Sequence, residues 1–297
     1  SEMCIRDRGK PEDVLPLWVA DMDFQTSSLI LDEIHKRVDH GIFGYTETRE
    51  AYFETVAGWL EEHHNLQIKP NWLVKTPGVV FALAMAVKAY TNEKDAILIQ
   101  QPVYYPFTEV IEDNNRTVVS NDLVLKEDGK YHIDFADFEK KILEHHIKLF
   151  LLCSPHNPVG RVWTKEELKR IAEICIKYNV IVVSDEIHED FVFEGYVHTP
   201  FLNVDERLAD ICVTCTSPAK TFNLAGLQIS NIIIPNSKLR SAFKQQINAA
   251  GYSQLNTIGI VACEAAYRYG GEWLEAVKKY LQENLNFLRD YISHELP

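Results

Sequence analysis

The chain has 297 residues, 46% of them hydrophobic, which is enough for a large core in one or two domains and excludes a disordered chain. Its formal net charge of −13 argues against nucleic acid or an anionic membrane as partner, since phosphate binding needs a basic face. No apolar run approaches transmembrane length, and the charged start, Ser1 to Lys10, lacks a signal-peptide core.

Taken in order, the chain offers Leu15 to Phe24 (LPLWVADMDF) as an extended apolar segment, and Ile30, Ile34 and Val38 as one face of a helix ending at Gly41. A loop at Phe43-Gly44-Tyr45-Thr46, a helix over 49–64 and a strand over Trp72 to Lys75 follow. Gly78 to Tyr90 is apolar all round and reads as a buried helix; its start, Thr76-Pro77-Gly78, is either an ordinary turn or a dipole end that suits a phosphate. Ala96 to Gln100 is a strand, and the loop Pro102-Val103-Tyr104-Tyr105-Pro106 is either surface packing or a plate for a flat ring. Helices are expected near 105–113 and 134–146. Neighbours on a helix do not share a face, so His63-His64 and His145-His146 read as solvated pairs, with no metal ligands among them.

Lys148 to Cys153 is a continuous apolar strand that ends in Ser154-Pro155-His156-Asn157-Pro158. Thr164 and Glu167 form a capping box and open a helix. Val180 to Val183 is another buried strand, ending in Ser184-Asp185-Glu186-Ile187-His188, and Asp210 to Val213 a third, followed by Thr214-Cys215-Thr216-Ser217-Pro218-Ala219-Lys220. The six cysteines are scattered, as expected of reduced thiols in the cytoplasm. Cys212 and Cys215, three apart in a strand, point to opposite faces as core thiols. Ser230 to Ile234 is a strand, Ser237 to Ala250 and Leu255 to Tyr269 are helices, and one long helix from Gly271 carries the stripe Leu274, Val277, Leu281, Leu285, Leu288, Ile292.

Apolar strands alternating with helices predict an α/β fold, three layers αβα around a mostly parallel sheet. Ligands in such folds sit beyond the carboxyl ends of strands, where Asn157, Asp185 and Lys220 all fall. Lys220 could be a surface lysine on a turn. It could also be a poorly hydrated amine able to attack a carbonyl, and the convergence of the three strand ends favours this second reading. An amine, a carboxylate, an aromatic plate and an anion site together describe pyridoxal 5'-phosphate, a phosphorylated aldehyde whose ring acts as an electron sink when its nitrogen stays protonated.

Asn157-Pro158-x-Gly160, then Asp185, then Ser217-x-x-Lys220 resembles the motif order of fold-type I pyridoxal-phosphate enzymes. More narrowly, LPLWVADMDF, GIFGYT, PGVVFALAMAV, QPVYYPF, SPHNPVGRVW, SDEIHEDF and SPAKTFNLAGLQIS resemble the cystathionine β-lyase and cystalysin-like C–S lyases of the class I/II aminotransferase superfamily, over about residues 14–297. The resemblance implies that Lys220 carries the aldehyde as a Schiff base. Asp185 pairs with the ring nitrogen, Asn157 with the ring hydroxyl, and Tyr104 stacks on the ring. Ser217 and the backbone of Val79 and Val80 hold the phosphate, and Tyr45 reaches the phosphate of the other subunit in a homodimer with shared sites. His188 orients Asp185, Tyr105 contacts substrate, and Ala20 and Asp21 line the substrate entrance. The activity implied is β-elimination from cystathionine or cysteine S-conjugates. The alternatives are an aminotransferase and, from another class, a non-catalytic regulatory protein that keeps the cofactor pocket.

Two departures from the pattern stand out. Gln228 occupies the position where many aminotransferases hold the phosphate with an arginine, and no arginine matches the one that clamps the substrate carboxylate. The expected organisation is therefore an N-terminal segment over 1–44 (residues 1–8 fit no family pattern), a cofactor-binding large domain over 45–270, and over 271–297 the start of a small C-terminal domain most of which is missing from a shortened sequence.

Overall fold

The computed structural model describes residues 9, 11, 13, 14, 20–252 and 254–296. The expected segment Leu15 to Phe24 is therefore described only from Ala20 onward, and residues 1–8, with Cys4, lie outside the described residues.

Seven strands form the central sheet: β1 (Leu73–Thr76), β2 (Ala96–Ile99), β3 (Thr117–Ser120), β6 (Leu149–Cys153), β7 (Ile181–Asp185), β8 (Cys212–Thr216) and β9 (Ser230–Ile233), in the order β1-β9-β8-β7-β6-β2-β3. The pairs β2/β3, β2/β6, β6/β7 and β7/β8 are parallel, and β9 runs antiparallel to both its neighbours. A two-stranded ribbon, β4 (Val124–Leu125) and β5 (Tyr131–His132), stands apart. Neither β3 nor this ribbon was expected from the sequence. The segment Thr117-Val118-Val119-Ser120 has too few apolar residues to stand out as a buried strand, and β4 and β5 are two residues each.

The parallel strands are apolar on both faces because helices cover both. Along β6, Phe150 and Leu152 enter one core while Leu149, Leu151 and Cys153 enter the other. The first core is closed by α1 (Ser28–His40), α2 (Glu50–His64), α5 (Phe135–Glu144), α6 (Lys165–Tyr178), α9 (Thr257–Tyr269) and the start of α10 (Gly271–Glu295). The second is closed by α3 (Val79–Tyr90), α4 (Pro106–Glu112) and α8 (Ser237–Ala249). The result is the three-layer αβα architecture expected. Cys212 belongs to the first core and Cys215 to the second, on opposite faces of β8.

Local signals explain most boundaries. Gly41 ends α1 in the left-handed region at φ 72°, where a Cβ is costly. Thr164 caps α6 from Glu167 N–H while the Glu167 carboxylate bonds back to Thr164 N–H. The third strand lies later than its apolar signal, at Cys212–Thr216, because Thr214 and Thr216 are buried despite their hydroxyls. On α1 only Ile30 is fully buried, and Val38 is exposed. On α10 the stripe is buried at Leu274 and Val277, half-buried at Leu281 and Leu285, and exposed at Leu288 and Ile292.

Candidate active site

Register places the carboxyl ends of three central strands side by side. Asp185, the last residue of β7, pairs with Cys153 at the end of β6 on one side and with Cys215 of β8 on the other. Asn157 follows β6 by four residues. Lys220 follows β8 on α7 (Pro218–Thr221), a four-residue turn of helix.

Asp185 is buried, and its Oδ1 accepts one hydrogen bond, from Ile187 N–H at 3.1 Å. Burial pushes this carboxyl from an ordinary 3.8 up to about 7; the Ile187 bond opposes the rise and the charge of Glu186 adds to it. A buried carboxylate with so little compensation fits a cationic ring N–H as its missing partner. Tyr104 N–H donates to Asn157 O at 3.0 Å, and the Tyr105 ring meets Tyr104 edge-on at 5.2 Å between centroids. Burial raises the Tyr104 phenol, with Tyr105, Asp185, Glu109 and Asp21 adding to the rise.

Lys220 Nζ donates to Ala20 O at 3.3 Å and stands 3.9 Å from Asp21 Oδ1. Ala20 and Asp21, expected at the substrate entrance, therefore lie against the Lys220 amine. The segment is tied down by Asn223, which the sequence did not single out. Its Oδ1 accepts from Met22 N–H at 3.2 Å, and its Nδ2 donates to Met22 O at 2.8 Å and Phe24 O at 3.1 Å. Its left-handed backbone, φ 57°, suits an asparagine that closes a turn.

His188 lies near Lys220: burial first, and then the lysine's charge, lowers its imidazole to about 4, so it is neutral at neutral pH. Its expected bond to Asp185 does not occur among the described residues, where the Ile187 backbone makes that contact. Ser217 caps α7 by accepting from Ala219 N–H at 3.1 Å and donates to Ile229 O at 2.7 Å. Val79 and Val80 open α3 after Gly78, which offers no side-chain cap, so their N–H groups are free for an acceptor. Val79 is buried and Val80 exposed. Tyr45 makes no hydrogen bond to these residues among the described ones. It is 98% exposed and lines an open cavity of ≈ 650 Å³ with Gln228, Tyr252 and Asn256.

Behind the crevice lies a buried polar layer that sequence spacing did not predict. Glu186 accepts from Ser184 Oγ at 2.7 Å and from Phe201 N–H at 3.0 Å, and pairs with His198 Nε2 at 2.9 Å. Asp190 pairs with His64 Nε2 at 2.8 Å. Candidate ligand atoms of His64, Glu189 and Asp190 lie within 4.8 Å of one another, as do those of Glu186, Glu189 and His198. The expectation of a solvated His64 is overturned: its side chain is 6% exposed. It follows Leu60 and Val56 at intervals of four, and so shares the buried face of α2. His63 stacks on Trp59 at 3.7 Å, while His145 and His146 are exposed.

The sequence profile of aminotransferase class I and II matches residues 12–295. The chain belongs to that family. Among curated relatives, "Cystathionine beta-lyase PatB" of Bacillus subtilis is 45% identical over 285 residues, 96% of this chain and 73% of the relative. Among solved structures, cystalysin from Treponema denticola, which contains pyridoxal 5'-phosphate, superposes with a TM-score of 0.95 at 38% identity, over 100% of this chain and 75% of that one. The pyridoxal-phosphate-bound C–S lyase from Staphylococcus hominis gives 0.90 at 36% identity, over 96% and 72%. Family membership agrees with the motif order and with the mostly parallel sheet. No helix among the described residues is long and apolar enough to cross a membrane.

Proposed function

We propose that this protein is a pyridoxal-phosphate-dependent carbon–sulfur β-lyase acting on cystathionine or a cysteine S-conjugate. The observation that carries the reading is that Lys220 and Asp185 follow the ends of the adjacent parallel strands β8 and β7, with Asn157 after β6, in a chain similar to lyases along nearly its whole length. Lys220 would hold the cofactor, Asp185 its ring nitrogen, Asn157 its ring hydroxyl and Tyr104 its face. The N–H groups of Val79 and Val80 would hold its phosphate, and Ser217 would join them only by turning its hydroxyl proton away from Ile229 O. The bound cofactor supplies an electron sink at the substrate's Cα.

The chain's own groups then handle protons and position. With the cofactor bound, the Lys220 amine would be the base that takes the substrate's Cα proton. The Cβ–S bond breaks, and the thiolate leaves with the electron pair. It can recover a proton from the Lys220 ammonium. The three-carbon remainder takes up water and departs as pyruvate and ammonia. Tyr105, Ala20 and Asp21 flank this path, and His188, uncharged at neutral pH, lets the lysine cycle its proton without a second fixed cation beside it. We assign the protein to the cytoplasm as a homodimer in which Tyr45 serves the partner's phosphate.

The test is absorption and turnover together. Wild type supplied with pyridoxal phosphate develops a visible band and releases pyruvate and homocysteine from cystathionine, and Lys220→Ala does neither. Amino transfer to an added 2-oxo acid without pyruvate release would move the assignment to an aminotransferase.

A further inference from the structure

The turn that carries Lys220 is held from behind by groups outside the crevice. Thr221, 0% exposed, donates its Oγ1 proton to Asp190 Oδ2 at 2.6 Å. Asp190 Oδ1 meets His64 Nε2 at 2.8 Å, with side chains 3% and 6% exposed. One buried chain of hydrogen bonds therefore links the last residue of α2, the loop after β7 and the turn after β8. Burial alone would raise the Asp190 carboxyl, yet the bond and charge of His64, then the Thr221 bond and the charge of His63, outweigh it and hold the group below its usual range, so it stays an acceptor.

An apolar trio could fill the same space without the desolvation cost of a buried carboxylate. A hydrogen-bonded chain adds direction. A helix of four residues cannot hold its own geometry, so the orientation of Lys220 depends on tertiary ties at both ends of α7. Ser217 is one tie, through Ile229 O, and Thr221 is the other. We propose that His64, Asp190 and Thr221 form a positioning strut that fixes the direction in which the Lys220 amine enters the crevice, a role that rests on Lys220 being the cofactor-bearing amine.

The experiment uses the full chain, prepared without cofactor, and follows two signals. One is amide hydrogen exchange over 218–223; the other is the rate at which a visible band grows on adding pyridoxal phosphate. His64→Leu and Thr221→Val should speed the exchange and slow the band by about 10- to 100-fold, as loss of a supporting hydrogen bond does elsewhere. His64→Gln, whose amide can replace Nε2, and Thr221→Ser, which keeps the hydroxyl, should both stay within about threefold of wild type. His64→Leu added to Thr221→Val should cost little more, because the chain is already cut. The strut is overturned if folded His64→Leu leaves both signals unchanged, if the two substitutions multiply, or if Thr221→Ser is as slow as Thr221→Val, which would make packing the cause. Should wild type itself show no band, the cofactor reading fails and the exchange measurement alone decides the strut.

Discussion

At the scale of single residues, Asp185 carries the clearest consequence of burial. Its carboxyl is pushed up to about 7 in the folded chain from an ordinary 3.8, so between those values the folded state binds a proton that the unfolded state releases. The stabilisation is complete below about pH 4 and is lost as pH rises through about 7. Cofactor-free protein should therefore resist urea better near about pH 5 than near about pH 8, by up to a few kcal/mol, and Asp185→Asn should flatten that difference. An unchanged slope in the variant would place the cause elsewhere, with Glu189, also raised by burial, next to be replaced. The place of Asp185 at a strand end was legible because an apolar strand ended on an acid. The role of His64 was not, because its partner Asp190 lies 126 residues away and its own neighbours, Glu61, Glu62 and His63, look like a solvated helix end. Asn223 escaped for the same reason: its partners Met22 and Phe24 lie some 200 residues earlier in the chain.

At the scale of elements, the junction between α9 and α10 is fitted to the lysine turn. Phe222, two residues after Lys220, is fully buried against Trp59 at 5.5 Å, Tyr267 at 6.2 Å and Trp273 at 6.2 Å between ring centroids. It also lies on the bare backbone of Gly270, where a Cβ would come within 2.2 Å of Phe222 Cε1 and 2.5 Å of Ala266 O. Gly270→Ala must move an aromatic ring or unwind the end of α9. Its expected cost is about 1–3 kcal/mol in urea unfolding, with slower uptake of cofactor because Phe222 shares the turn of Lys220. The adjacent Gly271→Ala meets nothing within 4 Å and should stay within about 0.5 kcal/mol of wild type. Equal losses at both positions would remove the steric argument. The sequence showed these helices through their periodicity, with ends displaced by a residue or two. It showed no reason for Gly270, because the nearest of the atoms that exclude a side chain there belongs to Phe222, far earlier in the chain.

At the scale of the whole molecule, strand order decides what can meet. Alternating strands and helices announced a parallel sheet, and such a sheet gathers the ends of β6, β7 and β8 whatever the loops contain. That is why Asn157, Asp185 and Lys220 could be placed together without coordinates, while Tyr45, on a loop bound to no strand end, could not. Its 98% exposure leaves its side chain accessible to a second copy of the chain. If it does, each site draws Lys220 from one subunit and Tyr45 from the other. Mixing Lys220→Ala with Tyr45→Ala chains then creates hybrids in which one site carries both defects and the other carries none. Lyase activity of the reassorted mixture should exceed the sum of the two parents, and sedimentation should show a dimer. Activity equal to that sum, in a mixture shown to have exchanged subunits, would return Tyr45 to its own chain's site or remove it from catalysis. The two outcomes separate because a subunit carrying Lys220→Ala can contribute to turnover only through a residue it lends to its neighbour.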